Sequence, residues 1–286
     1  MPRHRVGNLT IERVVEFDGP ALSIAFLPDL TQRFLKSEFQ WMAPTWFDAG
    51  FDHIVNVFQS FIVKTKHHTI LCDTCNGNDR TGRRNPIWNN LNLPYMENFL
   101  ATGFKPDDID IVMCTHLHAD HVGWNTHLRD GRWVPTFPKA VHIVSEPEMH
   151  ALENRLTREP LAFYDDSIKP IVEAGKMRLV SVDHEIDDQA CLESSAGHTI
   201  GHTSLRIRDS NEEGLIVGDA IHHPIQVYFP EWNARGDTHP DLARATRRRF
   251  LEESLLKGTL ILPNHFPPFR VSKGPRGFEF EIDPSL

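Results

Sequence analysis

The chain has 286 residues, of which 40% are hydrophobic and 24% charged, an ordinary composition for a globular protein. Its formal net charge is -9, which argues against nucleic acid and anionic membranes as partners, because both select a basic surface. The N-terminal residues lack the apolar stretch of a signal peptide, and no apolar run approaches the roughly 20 residues of a spanning helix. We therefore expect a cytoplasmic protein.

The first quarter of the chain contains three predicted strands. Residues 8–17 predict the first, and residues 54–63 and 68–73 predict two more, joined by a polar turn. Between them, residues 18–52 are rich in aromatic side chains and prolines and show no clear period. Three roles compete for this segment: a lid or wall over a pocket, a dimer contact that would make the protein a homodimer, or part of the core.

The end of the third predicted strand carries a Cys-x-x-Cys motif, formed by Cys72 and Cys75. No second such pair exists, so we predict buried, reduced thiols. Asp73 either orients a metal-binding histidine or bonds its own backbone in a turn. The polar and basic residues 78–88 predict a solvated loop.

A cluster of metal-binding residue types follows the next apolar run. Residues 109–114 predict a buried strand, and His116, His118, Asp120 and His121 come directly after it. On an extended backbone the first two imidazoles point the same way, whereas the aspartate and the last histidine follow a bend and can face a second ion. A zinc ion prefers about four ligands, so four ligands here plus others elsewhere indicate two ions.

The remaining elements alternate between short strands and helices. The predicted helices and strands are the following: helices at residues 96–102, 146–156 and 241–256, and strands at residues 140–144, 177–182, 191–194, 204–208, 215–218 and 260–262, the last strand of the chain.

Three of these strand ends each deliver one further ligand type. His198 follows the strand at 191–194, Asp219 ends the strand at 215–218, and His265 follows the last strand. Strand ends at one edge of a sheet are where enzymes of this architecture gather site residues. His202 is predicted to be structural, because His198 already fills the ligand role.

The two halves of the chain each consist of strands followed by helices. This arrangement predicts an α+β fold in which two mixed sheets pack face to face with helices on the outer faces. We expect one domain over residues 1–286.

Taken in series, these motifs resemble the metallo-β-lactamase superfamily of hydrolases. The resemblance rests on Thr115-His116-Leu117-His118-Ala119-Asp120-His121, Gly197-His198-Thr199, Gly218-Asp219-Ala220 and His265. It implies an αβ/βα sandwich with two divalent ions, most simply zinc, with manganese, iron or cobalt as alternatives. It also implies the ligands: His116, His118 and His198 for the first ion, Asp120, His121 and His265 for the second, and Asp219 between them.

The string Trp133-Val134-Pro135-Thr136-Phe137-Pro138 resembles the branch that holds N-acyl-homoserine-lactone lactonases and methyl-parathion-type hydrolases. Those lactonases place a substrate-binding tyrosine three residues after the bridging aspartate, where this chain has His222. His222 is therefore either a donor to the substrate oxyanion, a role that His223 could also fill, or a loop histidine packed beneath the site.

The resulting hypothesis is a dinuclear hydrolase in which a metal-bound hydroxide attacks a lactone or carboxylic ester of a small molecule. Asp120 would carry the proton to the leaving group. A phosphotriester or thioester hydrolase is the alternative within enzymes. A non-catalytic scaffold, in which the ions only hold the fold, is the alternative outside them.

Overall fold

Strands dominate the computed structural model, which describes residues 3–284. In chain order they are β1 (Arg3–Val6), β2 (Leu9–Ser23), β3 (His53–Lys64), β4 (Thr69–Cys72), β5 (Ile111–Met113), β6 (Thr126–Arg129), β7 (Arg132–Pro135), β8 (Val141–Ser145), β9 (Met177–Val180), β10 (Glu185–Asp187), β11 (Ala190–Ser194), β12 (Thr203–Asp209), β13 (Glu212–Gly218), β14 (Leu260–Pro263), β15 (Phe269–Gly274) and β16 (Gly277–Ile282). The helices are α1 (Gln32–Glu38), α2 (Tyr95–Ala101), α3 (Ala119–Val122), α4 (Glu146–Leu156), α5 (Lys169–Glu173), α6 (Ile225–Tyr228) and α7 (Pro240–Lys257).

Within these residues the strands form two seven-stranded mixed sheets and one small hairpin. The first sheet has the order β1-β2-β3-β4-β5-β8-β9, the second runs from β10 to β16 in chain order, and β6 pairs with β7. Strands β4, β5, β8 and β9 run parallel to one another, as do β13 and β14, and the other pairs are antiparallel. The predicted α+β class and the two mixed sheets are confirmed.

The two sheets pack against each other through a shared apolar core. Ile11, Phe61 and Met113 of the first sheet belong to the same buried cluster as Ile216 and Leu262 of the second. The outer faces are covered by helices, so the parallel strands are buried on both sides and consist of continuous apolar runs. The buried side chains contributed by these helices include Tyr95, Phe99, Met149 and Leu152 over the first sheet and Leu35, Phe250 and Leu251 over the second.

The ends of β4, β5, β13 and β14 bring the candidate ligands together. The turn after β13 needs a glycine, because Gly218 has a φ of +50° and an added Cβ would lie 2.7 Å from the Thr115 hydroxyl and from His202 Nε2. Its conformation and close packing place the next residue, Asp219, beside the loop that follows β5.

Several sequence predictions of strands were incomplete or wrong. The first long strand, β2, continues to Ser23 rather than ending at residue 17. The strand at residues 260–262 is not the last, since β15 and β16 follow it. Both added strands alternate apolar and polar residues, as in Phe278-Glu279-Phe280-Glu281-Ile282, so the sequence carries a strand pattern there that our prediction missed.

The segment at residues 18–52 divides between the predicted roles. Phe39 and Phe47 are fully buried in the core, whereas Phe26 lines the cavity described below. Trp41 is 57% exposed. The core and wall interpretations each hold for part of the segment, and a dimer contact stays a prediction.

The prediction that residues 78–88 form a solvated loop is wrong for Arg80. The Arg80 side chain is fully buried, donates to the carbonyls of Asp166 and Thr126 at 2.9 and 2.6 Å, and stacks 3.8 Å above the Trp133 ring. A buried guanidinium is tolerated only where many acceptors converge on it, and these come from distant parts of the chain.

Two smaller expectations have clear outcomes. Cys72, Cys75 and Cys114 are buried free thiols, as predicted. None of the helices formed by residues 3–284 combines the length and the hydropathy that a membrane crossing demands.

Candidate metal centre

Seven predicted ligand side chains meet at one edge of the two sheets. His116, His118, His198 and Asp219 form one group, and Asp120, His121 and His265 form a second, with the ligand atoms of each group within 4.8 Å of one another. The structure therefore brings together every side chain that the sequence predicted as a ligand.

Asp219 lies between the two groups. Its Oδ1 is 2.9 Å from His265 Nε2 and 3.1 Å from His121 Nε2. Its Oδ2 is 3.2 Å from His198 Nε2 and 3.7 Å from His116 Nε2. Each oxygen thus faces one group, an arrangement in which one carboxylate can be shared by two ions.

Three imidazoles of the first group lie against one another, and two of them have lowered pKa values. His118 Nδ1 is 3.0 Å from His116 Nε2 and 2.9 Å from His198 Nε2. Burial, together with the neighbouring histidines, lowers the pKa of His116 well below its ordinary value, and burial and His198 lower the pKa of His118 to about 3. These two rings are therefore uncharged at neutral pH, the form in which histidine binds a metal.

The second group favours a positive charge. Burial opposes charge on His121, but the carboxylates of Asp219, Asp120 and Asp73 together raise its pKa well above the ordinary value. His121 Nε2 and Asp219 Oδ1 are buried and have no hydrogen-bond partner among the described residues. Buried polar atoms of this kind need a partner, and a divalent cation between them provides both the contact and the charge.

Asp73 orients His121. Its Oδ2 accepts from His121 Nδ1 at 2.9 Å and its Oδ1 accepts from the Thr115 backbone N–H at 2.7 Å. Asp73 is fully buried and has a φ of +58°, an unusual conformation for a non-glycine residue. Of its two predicted roles, the structure therefore shows the one that leaves His121 Nε2 free to face the centre.

Asp237 holds His198 in the same manner, and sequence reasoning missed it. Its Oδ1 is 3.0 Å from His198 Nδ1, and its Oδ2 lies 3.3 Å from the buried Arg247 guanidinium. Burial works against ionisation, but the bonds to His198 and the charges of His222 and Arg247 lower the pKa of Asp237 to about 2. No local pattern marks this aspartate, because it lies in a loop 39 residues from its partner.

Two nearby histidines are structural. His202 Nε2 accepts from the Asp219 backbone N–H at 3.1 Å, and its Nδ1 is 2.7 Å from the Ser195 hydroxyl, as predicted. His223 Nε2 donates to the Trp46 carbonyl at 2.9 Å, and its Nδ1 accepts from the Ile225 N–H. Both nitrogens of His223 are occupied, which leaves His222 as the candidate donor.

His222 lies inside the centre rather than beneath it. Its Nε2 is 3.2 Å from Asp219 Oδ2, and its ring stacks parallel to that of His265 with centroids 5.8 Å apart. Phe26 packs edge-on against the opposite side at 5.2 Å. The side chain is 3% exposed, and both ring nitrogens lack a hydrogen-bond partner among the described residues.

A cavity of about 290 Å³ opens over these groups. One wall is apolar and includes Leu22, Phe26, Phe58 and Trp88, while Arg83 and Arg84 stand at the polar side. The metal-binding face contributes His118, Asp120, Asp219, His222 and His265. The cavity therefore combines reactive groups with an apolar surface, as small-molecule sites do.

Comparisons with known proteins agree with this geometry. The family described as the metallo-beta-lactamase superfamily matches residues 56–265. Among solved structures, hydrolase AbOPH of the beta lactamase superfamily is similar with a TM-score of 0.81 and 20% identity, over 99% of this chain and 97% of that one. AidC, a dizinc quorum-quenching lactonase in complex with a product, has a TM-score of 0.76 and 22% identity, over 98% and 96%.

A curated relative matches a smaller part of the chain. It is the cytochrome P450 monooxygenase mpaDE of Penicillium roqueforti (strain FM164), 28% identical over 140 residues. The match covers 43% of this chain and only 15% of that protein. The chain therefore spans a small fraction of the length of this relative.

Proposed function

The chain belongs to the metallo-β-lactamase superfamily, and from this premise we propose that it is a dinuclear metal-dependent hydrolase of a small-molecule lactone or carboxylic ester. The observation that carries the proposal is the convergence of seven histidine and aspartate side chains around the Asp219 carboxylate. With Asp219 shared, each ion would have four protein ligands, as in a structural zinc site. The difference is that the ligands His118, Asp120, His198, Asp219 and His265 line an open cavity, so that water or substrate can add a fifth ligand.

The donor set fits divalent cations. His116, His118 and His198 would hold one ion, and Asp120, His121 and His265 the other, with Asp219 shared between them. Imidazole and carboxylate ligands suit zinc, and also manganese, iron or cobalt. When bound, such ions lower the pKa of a coordinated water from 15.7 to about 7 and polarise the substrate carbonyl.

In this proposal Asp120 moves the proton. Its side chain is 30% exposed and lines the cavity, and its Oδ2 is 3.7 Å from both His121 Nε2 and His265 Nε2. A carboxylate oxygen at this position can accept the proton of the attacking water and pass it to the leaving alkoxide.

In this proposal His222 binds the substrate oxygen. It occupies the position where the resembling lactonases carry a tyrosine, and its nitrogens face the centre and lack protein hydrogen-bond partners. An N–H at this position stabilises the negative charge that develops on the carbonyl oxygen during attack. The Phe26 ring restricts the imidazole to this orientation.

The apolar wall supports a lactone or ester with an apolar body. Phe58 and Trp88 pack together with ring centroids 4.8 Å apart, and the Phe58 ring also lies 4.9 Å from that of His265. This surface brings an apolar substrate close to the metal-binding groups and excludes water from the reacting carbonyl. The similarity in fold to a lactonase, AidC, agrees with this substrate class.

The test is a panel assay with the purified, metal-quantified protein against lactones, aryl esters, thioesters and phosphotriesters. We expect two metal ions per chain and the highest kcat/KM for a lactone or carboxylic ester. Preference for a thioester or phosphotriester would replace the proposed substrate class with the alternative one.

Metal removal distinguishes the enzyme from a scaffold. Chelation should abolish hydrolysis while the circular dichroism spectrum stays that of the folded protein, because the sheets have their own apolar core. Readdition of the metal should restore activity. Loss of the folded spectrum together with a loaded protein that is inert towards the whole panel would establish a structural role instead.

A further inference from the structure

The mouth of the cavity carries arginines although the whole chain has a net charge of -9. Three neighbouring cavities of about 290, 690 and 410 Å³ all reach His118. The arginines that line them are Arg83, Arg84, Arg155 and Arg158. Apart from the metal-binding groups, the acidic residues that line these spaces are Glu148 and Glu159.

Both of these acidic side chains already have partners. Glu148 is buried and accepts from the backbone N–H groups of Leu117 and Gly201 at 3.0 and 3.2 Å, and burial raises its pKa. Glu159 pairs with Arg155 at 2.6 Å. Glu159 also interacts electrostatically with Arg84, but more weakly than with Arg155.

Arg83 is held in place by Asp166. The two side chains form a bidentate pair at 2.9 and 3.0 Å. The same carboxylate also lies 3.3 Å from the Arg80 guanidinium. Asp166 therefore occupies the Arg83 guanidinium, while the buried Arg80 is also near the charges of Asp79 and Glu16.

Arg84 is the neighbouring cation whose side chain is free to bind a ligand. It is exposed and lines both the 290 and the 410 Å³ cavities, and the acidic side chain that interacts with it electrostatically, Glu159, is already paired with Arg155. The backbone of the preceding residue is fixed by hydrogen bonds. The Arg83 N–H donates to Asn89 Oδ1 at 2.8 Å, and Asn89 Nδ2 donates to the Arg83 carbonyl at 3.1 Å.

We propose that the substrate carries a carboxylate that Arg84 binds at the mouth of the cavity, while its apolar body lies against Phe58 and Trp88. This inference rests on the proposed hydrolase function and narrows its substrate class to anionic esters or lactones. A guanidinium matches a carboxylate through two parallel N–H donors. Because the whole chain repels anions, a local positive field at the mouth would also draw such a substrate in.

The test compares two esters of the same shape, 3-carboxyphenyl acetate and 3-carbamoylphenyl acetate, which differ in charge. We expect the wild-type protein to have the higher kcat/KM for the carboxylate ester. In Arg84→Gln the ratio of the two values should fall about fivefold, the size of one solvent-accessible ion pair. Added salt should reduce the wild-type ratio, because exposed charges are screened.

Arg248→Gln is the matched control. It removes the same charge from an exposed position on α7 that lines a separate cavity, so the ratio should equal that of the wild type. Equal kcat/KM values of the wild type for the two esters overturn the inference. So does a ratio in Arg84→Gln that equals the wild-type ratio, because direct binding of the carboxylate to the metal would then explain the preference.

A binding measurement separates failure of this inference from failure of the proposed function. The corresponding amides, 3-carboxyacetanilide and 3-carbamoylacetanilide, can be titrated calorimetrically into the metal-loaded protein. If neither ester is hydrolysed, the ester hydrolase proposal fails, yet tighter binding of the carboxylate that is lost in Arg84→Gln still supports anion recognition. Equal binding of both amides by the wild type counts against it.

Discussion

The candidate metal centre and the wall of its cavity enclose the same space but are held by different contacts. The centre stands on the ends of buried strands, and its histidines are oriented by buried carboxylates, as Asp73 orients His121 and Asp237 orients His198. Most of the wall comes from the end of β2 and from the segments at Phe26 and Trp88, and Leu22, Phe26 and Trp88 are half-buried, whereas Phe58 on β3 is buried.

This difference separates chemistry from specificity. Strand ends and buried carboxylates keep reactive groups in one geometry, which catalysis and metal binding require. Loops tolerate substitution because few buried contacts depend on them. Changes in the centre should therefore act on metal affinity and kcat, and changes in the wall on KM.

The largest expected effect comes from removing the carboxylate behind His121. Asp73→Ala should weaken metal binding about 10- to 100-fold, the usual cost of losing a group that orients a ligand, as measured by competition with a chromogenic chelator. The matched control is Asp110→Ala, since Asp110 accepts from the Thr69 N–H at 2.8 Å at the opposite end of the same strands. Unchanged affinity in Asp73→Ala would mean that the strand ends alone position His121.

A buried histidine outside both regions shows what burial does without a cluster. His142 on β8 is fully buried, neither ring nitrogen has a partner among the described residues, and burial followed by Lys176 lowers its pKa to about 3. Between pH 3 and 6.5 the unfolded chain binds the extra proton, so this contribution to stability is present at pH 7 and is lost as the pH falls through this window.

The unfolding free energy of His142→Leu should therefore depend less on pH than that of the wild type. From pH 7 to pH 5, the unfolding free energy of the wild type should fall by about 2 kcal/mol more than that of the variant. The reason is that pH 5 lies about 1.5 units below the ordinary pKa of histidine. Urea unfolding of both proteins at the two pH values measures the difference. Parallel losses would show that His142 acquires a partner or water at low pH.

A substitution at His222 tests whether the candidate metal centre also binds the substrate carbonyl oxygen. His222→Phe removes the N–H that faces the carbonyl oxygen, so kcat should fall about tenfold or more, the cost of one lost oxyanion donor. Metal content, measured on the same preparation, should not change. A parallel loss of metal would make His222 a ligand rather than a donor, and an unchanged kcat would remove it from the mechanism.

The smallest effect is expected in the wall. Leu22→Ala removes part of the apolar surface of the cavity, so KM for an apolar ester should rise on the order of fivefold with kcat little changed. Leu256→Ala is the control, because that side chain is 86% exposed and remote from the cavity. A fall in kcat or metal content in Leu22→Ala would contradict the separation of wall and centre.

Much of the centre could be predicted without coordinates. The ligands follow apolar runs that are recognisable as buried strands, and parallel strands must end at the same edge of a sheet. The helix at residues 146–156 was also predicted with its observed bounds, since Ser145 caps its N-terminus and Pro147 stands in its first turn. The strands β15 and β16 were missed although both alternate apolar and polar residues, so they too could have been predicted from the sequence.

Taken alone, the amino-acid sequence determined the strand-and-helix class, the side chains able to bind metal and the order in which the chain presents them. These features depend on local periodicity and on residue chemistry, which adjacent positions encode. The tertiary structure alone decided that Arg80 is buried, that Asp237 supports His198, and that Arg84 faces the cavity. Each of these depends on contacts between residues far apart in the chain, whose distances no local pattern specifies.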